Sequence, residues 1–193
     1  MPADDDASAA RTDTVRTDAA RTDAVFIDAT LFMGMHSEDD AVRVASKAFF
    51  ADRLAAGTAG RVVMSWEQVG RCDDLVWAYE RGVQDDYYPF MDVLHTDLAI
   101  DRIAYDEADV RRAFTAPGLD GLPTHERLLL AQVIGRGGTL HTASPRLLGT
   151  AGLPVVPIAR AGAPAPVEEP SFPPYLEDLY RRSLVLTVAS EDL

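Results

Sequence analysis

The chain has a single cysteine, Cys72, which rules out an internal disulfide framework and any cysteine-rich zinc module. Cys72 itself reads as a partly buried thiol on a helix. No apolar run approaches the roughly 20 residues of a membrane span, and the first residues lack the basic and apolar regions of a secretory signal. The expectation is a cytoplasmic protein with no membrane partner. Runs of lysine or arginine are missing too, since Arg111-Arg112 and Arg181-Arg182 are the only adjacent basic pairs. With a formal net charge of -13, the chain carries no electrostatic signature for a nucleic-acid backbone. What remains is an acidic protein of 193 residues, 47% hydrophobic and 25% charged, in the range of one globular domain with an adequate core.

Residues 1 to 23 are mostly Ala, Asp, Thr and Arg, with Arg-Thr-Asp recurring at Arg11, Arg16 and Arg21. A segment so poor in large apolar residues cannot offset its ordering entropy, and a disordered tail is expected. Val25-Phe26-Ile27-Asp28-Ala29-Thr30-Leu31-Phe32 then reads as a buried strand with one carboxylate inside it. An unpaired buried carboxylate costs several kcal/mol, roughly, so Asp28 needs hydrogen bonds, a cation or a place at the strand's carboxyl end.

The chain continues as alternating strands and helices. Met33 to Ser37 is a loop, and Ser37 N-caps a helix through Val42, Ala45, Phe49 and Leu54 that Gly57 and Gly60 end. A strand at Arg61–Trp66 precedes a helix from Gln68 to about Gly82. Tyr87-Tyr88-Pro89-Phe90-Met91 is an aromatic knot in which Pro89 breaks or begins a helix. Further strands are expected at Ile100–Tyr105, Thr139–Ala143 and Val155–Ile158. Asp106 caps one helix, and a second begins at Thr124 and runs through Glu126 to about Ile134. The domain is placed at residues 24–159, an extended Pro/Ala-rich connector at 160–174, and at 175–193 a short helix and an apolar strand that pack on the domain or on a partner. The alternation predicts an α/β fold of three layers, α/β/α, with a mostly parallel central sheet.

In such a sheet ligands bind outside the carboxyl ends of the strands. Asp28, Glu67, Glu126 and Ser144 can all fall on that edge. Carboxylates gathered there repel one another unless a divalent cation or protons neutralise them.

The order of these residues resembles the PIN-domain family of metal-dependent nucleases over about residues 24 to 158. Asp28-Ala29-Thr30 is similar to the family's first motif, an acid followed by a small residue and a hydroxyl or amide. Val62-Val63-Met64-Ser65-Trp66-Glu67 fits its second acid after an apolar strand. Glu126-Arg127-Leu128-Leu129-Leu130-Ala131 fits its third, with Glu where Asp is more usual. Thr142-Ala143-Ser144 keeps the threonine of the fourth motif and has serine in place of its acid.

The resemblance implies a PIN-like fold and hydrolysis of an RNA phosphodiester at Mg²⁺ or Mn²⁺ held by Asp28, Glu67 and Glu126. Thr30, Thr142 and Ser144 would orient ligands or water. His125 and His36 are additional candidate ligands, and His141 lies near the same predicted edge; imidazole donors would favour Mn, Fe or Zn over Mg. The serine and the acidic surface leave two alternatives. One is a PIN scaffold turned to a small-molecule substrate in specialised metabolism. The other is a non-catalytic protein that binds a partner or a second copy through Leu184–Val188.

Overall fold

The computed structural model describes residues 24–57, 62–158 and 170–193. The expected N-terminal tail, Gly60 and most of the expected connector lie outside them. The first strand, β1, is shorter than its apolar run suggests. It covers Val25–Ile27, and Ala29–Gly34 form helix α1. Asp28 makes the switch: its backbone is extended and its side chain accepts the Leu31 N–H, so it N-caps α1. An apolar run cannot tell a buried strand from a buried helix turn, and the cap decides. Part of the loop expected at Met33–Ser37 is therefore helical.

Helix α2 follows at Asp40–Ala55, capped by Asp39, which accepts from the amides of Ala41 and Val42. Ser37, the expected cap, instead accepts the Asp39 N–H. Strand β2 is Val62–Ser65, and Ser65 caps α3 at Trp66–Trp77. Helix α4, Arg81–Asp97, contains Pro89 in its interior, where the sequence suggests the break or the beginning of a helix. Tyr87, Phe90 and Leu94 on this helix are buried, and that burial offsets the hydrogen bond proline removes. Strand β3, Asp101–Ile103, leads to α5, Glu107–Thr115, whose Asp106 and Asp109 form a reciprocal capping box. Then come α6 (Thr124–Gly135), β4 (Thr139–Thr142), the single-turn α7 (Pro145–Leu148), β5 (Val155–Pro157) and α8 (Pro174–Ser183).

The five strands form one sheet in the order β3-β2-β1-β4-β5, and every pairing is parallel. Strand alternation sends side chains to two cores. Ile27, Val62 and Met64 pack with the buried residues of α1, α2, α3, α4 and α8. Phe26, Val63 and Leu140 pack with those of α5, α6 and α7. The protein is thus an α/β fold with helices on both faces of a parallel sheet, as the alternation predicts. Among the described residues no helix is long and apolar enough to cross a membrane.

Helix α8 belongs to the first core. Leu176 and Tyr180 are buried, and the Tyr180 hydroxyl donates to the Met35 carbonyl at 2.9 Å. Lys47, the only lysine of the chain, donates to Glu177 at 3.0 Å and lies 4.6 Å from the Tyr180 ring centre. The run after α8 forms no strand. Val188 makes a single parallel bridge to Ser37, Leu186 and Val188 are buried, and Leu184 and Val185 are exposed. The terminal segment thus packs on the domain in this structure.

His36 also sits in this core. Its Nε2 is 2.8 Å from Ser183 Oγ, and the rings of Tyr87, Phe90 and Tyr180 surround it edge-on.

Two stability measurements follow from this packing. Burial pushes Glu177 up, but the Phe172 N–H, Lys47 and Arg181 outweigh it and hold its carboxyl below the ordinary value. The stabilisation is present above the ordinary carboxylate range and is lost as pH falls through the lowered value. Lys47→Ala, which leaves that carboxylate with only the Phe172 N–H and the exposed Arg181, is expected to lower the unfolding free energy in urea at neutral pH by about 3 kcal/mol. The double replacement Lys47→Met with Glu177→Leu should cost less.

Burial also holds His36 at about 3, against 6.5 for a free imidazole. The unfolded chain takes up the proton first, so stability falls as pH is lowered from 6.5 toward about 3. Unfolding curves of His36→Gln across that window should show a shallower acid slope than wild type.

Candidate functional site

In this strand order the chain leaves β1 in both directions, toward β2 and β3 on one side and toward β4 and β5 on the other. The crevice between β1 and β4, at their carboxyl ends, is the switch point where open parallel sheets hold ligands. Asp28 and Thr142 stand on its two sides. Thr142 Oγ1 donates to Asp28 Oδ2 at 2.5 Å, and Thr30 Oγ1 donates to Oδ1 at 2.8 Å. The Leu31 N–H reaches the same Oδ1 at 3.0 Å. Burial pushes the Asp28 carboxyl up, and the Thr142, Leu31 and Thr30 donors only partly offset this.

Hydrogen bonds extend from this carboxylate along the sheet edge in both directions. Toward β2, the Ala29 N–H donates to Gln68 Oε1 at 2.9 Å, and Gln68 Nε2 donates to Glu67 Oε2 at 3.0 Å. That oxygen also accepts from the Tyr105 hydroxyl at 2.9 Å, which lies 3.1 Å from Ser65 Oγ. Toward β4, Thr30 Oγ1 accepts the Ala143 N–H and Thr142 Oγ1 accepts the Ser144 N–H. Ser144 caps α7, and Arg146 on that turn pairs with Glu126 Oε1 at 3.4 Å. The second oxygen of Glu126 is buried and has no hydrogen-bond partner among the described residues.

Asp28, Thr30, Thr142 and Ser144 are thus in one hydrogen-bonded cluster, and Glu67 joins it through Gln68. Among the described residues Glu126 is reached through α7 and Arg146. His125 lies between the acids electrostatically: burial and Arg71 depress its proton affinity, and Glu67 and Glu126 pull it the other way.

The other histidines lie elsewhere. His141 points from the opposite face of β4, with its ring centre 5.1 Å from that of Phe49, and burial and Arg53 lower its pKa. His36 spends its Nε2 on Ser183 in the aromatic core.

For a divalent cation the donor set fits in part. Among the described residues no three side chains of His, Cys, Asp or Glu come close enough together to hold a metal ion. Asp28 already accepts three hydrogen bonds, and both bonds to Glu67 fall on Oε2. The orphaned Glu126 oxygen is the donor that a cation would complete. Mg²⁺ characteristically keeps several waters and takes one or two carboxylates plus substrate phosphates, so a closed protein cage is not required.

A family model described as a family of unknown function, DUF6190, matches residues 19–193. The chain belongs to that family. No curated protein matches it. The match takes in the whole DUF6190 sheet edge, from Asp28 to Arg146, together with α8 and the segment after it.

Three site residues of this DUF6190 protein escape a reading by motif. Gln68 is the bridge between Asp28's loop and Glu67, and its only signal is its place beside an acid at a helix start. Tyr105 follows β3 by two residues, so the rule that sites gather at carboxyl ends points to it. Arg146 has no sequence signal, because α7 is a single turn that the Ser144 cap and Pro145 create.

The burial of Asp28 yields a stability prediction. A carboxyl whose folded value is raised favours the folded state most when protonated, so its stabilisation fades as pH rises above 3.8 through the folded value. Asp28→Asn keeps an acceptor for the Leu31 N–H and removes the buried charge. It should raise the unfolding midpoint in urea at neutral pH, and the gain should shrink in acid.

Proposed function

We propose that this protein is a PIN-like hydrolase that cleaves an RNA phosphodiester with Mg²⁺ or Mn²⁺ at the carboxyl edge of its sheet. The observation that carries the reading is the buried Glu126 oxygen with no partner, on the helix that runs into β4. A buried carboxylate oxygen left unsatisfied is costly, and a bound water or a cation supplies the missing partner. The resemblance of Asp28-Ala29-Thr30, Glu67 and Glu126 to the PIN motifs adds to it. A cytoplasmic location is part of the proposal, in keeping with a single thiol.

When bound, the cation would lower the pKa of a water and neutralise charge on the phosphoryl oxygens. Glu126 would hold it directly, and Asp28 and Glu67, which do not come together with Glu126 as a closed cage, would hold its waters. Thr30 and Thr142 fix the Asp28 carboxylate in one orientation, and Tyr105 and Gln68 do the same for Glu67. His125, kept neutral at neutral pH by burial and Arg71, can take a proton from water beside the two glutamates. Arg146, exposed and loosely paired at 3.4 Å, can turn from Glu126 to a substrate phosphate.

A second reading has its own observation. Asp28 already accepts three hydrogen bonds, two on Oδ1 and one on Oδ2, and with Ser144 in place of a fourth acid the edge is suited to binding without hydrolysis. Its ligand would be a small molecule, or a protein partner or second copy docking beside the exposed Leu184 and Val185.

The readings separate in one experiment. Under the hydrolase reading, single-stranded RNA is cut in Mn²⁺, EDTA stops the cutting, and Asp28→Asn and Glu126→Gln each lower the rate at least about 100-fold, as loss of a group acting on developing charge does. Calorimetry on the same samples should register Mn²⁺ binding that Glu126→Gln weakens. Cutting that survives Asp28→Asn would remove the assigned role. Absence of both Mn²⁺ binding and cutting would move the function to the binding reading.

A further inference from the structure

Most arginines of this acidic protein are committed. Arg43, Arg81, Arg111, Arg112, Arg127, Arg136, Arg146, Arg181 and Arg182 each pair with a carboxylate. Arg53 and Arg102 lie against the rings of Phe49 and Trp66. Among the described residues Arg71 is the arginine with neither a carboxylate, a carbonyl nor a ring. It is half-buried on α3, and with 31 acids in the chain a cation left over at such a position is notable for what it faces.

It faces a cavity of ≈ 420 Å³ that opens beside Thr30. That size is within the range of small-molecule sites. Thr30 donates to Asp28, so the cavity adjoins the cluster at the switch point. Leu75 and Leu193 give it apolar wall, and Asp74 and Asp192 line it as acceptors. The far side is built by the chain after α8, which is fastened by the Tyr79 hydroxyl donating to the Thr187 carbonyl and by the Val188 N–H donating to the His36 carbonyl.

We propose that this cavity is a subsite for a phosphate ester of mononucleotide size, with Arg71 on the phosphoryl group and Asp74 and Asp192 accepting from its hydroxyl or amino groups. A guanidinium matches a phosphoryl group in charge and in its forked donors. A flat or short apolar frame fits against Leu75 and Leu193. The choice of phosphoryl over another anion rests on the hydrolase reading; the unpaired arginine and the cavity do not.

The test is calorimetric titration of the full chain with 5′-AMP in EDTA, so that neither a bound cation nor cleavage contributes. The proposal expects saturable binding, weakened about tenfold or more in Arg71→Ala, as loss of a charge-assisted contact requires. Arg181→Ala, the same charge change at a distance, should leave binding as it is. Ala78→Phe, which fills the cavity and spares Arg71, should abolish it. Circular dichroism melts confirm that each variant is folded. No binding up to about 10 mM, equal losses in Arg71→Ala and Arg181→Ala, or inorganic phosphate binding as tightly as 5′-AMP would each overturn the proposal. Loss of RNA cleavage with 5′-AMP binding intact would count against the hydrolase reading alone.

Discussion

One buried carboxylate fixes the geometry of the sheet edge. Asp28 ends β1, starts α1 and receives a hydroxyl from β4, so a single side chain ties together three elements at the switch point. The threonines that hold it also take the backbone amides of Ala143 and Ser144, which sets the direction in which the chain leaves β4. Because the group is removed from water, its donors are worth more than they would be on the surface, and the lack of any one would cost more. The same enclosure makes the carboxylate an expense to the fold, which is a common condition of residues kept for chemistry.

The fold was largely legible from residue order. Strands and helices alternate, Asp106 announces α5, and the glycines after α6 announce β4. The errors gather where one residue changes the outcome. Asp28 turned a strand into a helix start, because periodicity carries no information about a cap until the cap's partner is known. Pro89 continued a helix where it was expected to break or begin one, because the buried side of α4 decided the matter through tertiary contacts. Ser37 and Asp39 were both competent caps, and the first ended as support for the second.

The candidate site was legible in its membership and less so in its assembly. Asp28, Thr30, Thr142 and Ser144 do meet, since strand ends bring them together whatever the loops do. Glu67 joins through Gln68, a residue with no motif to mark it. Glu126 stands apart with an arginine, and His36 belongs to the aromatic core. Sequence spacing gives the edge on which a residue lies, but the separation of two side chains on that edge depends on helix starts and rotamers that spacing does not encode.

The aromatic core carries a consequence for the order of folding. His36 is bonded to Ser183, Met35 to Tyr180 and Lys47 to Glu177, contacts that bridge 147, 145 and 130 residues. On a ribosome the first half of the protein is made long before the helix that covers it. Until α8 emerges, Phe90, Tyr87 and the imidazole of His36 have no lid, and their surface is open to water and to other chains. Closing such distant pairs is slow, because chain entropy is lost before any contact repays it. The nascent protein therefore passes through a stage in which its most aromatic surface is its most exposed one.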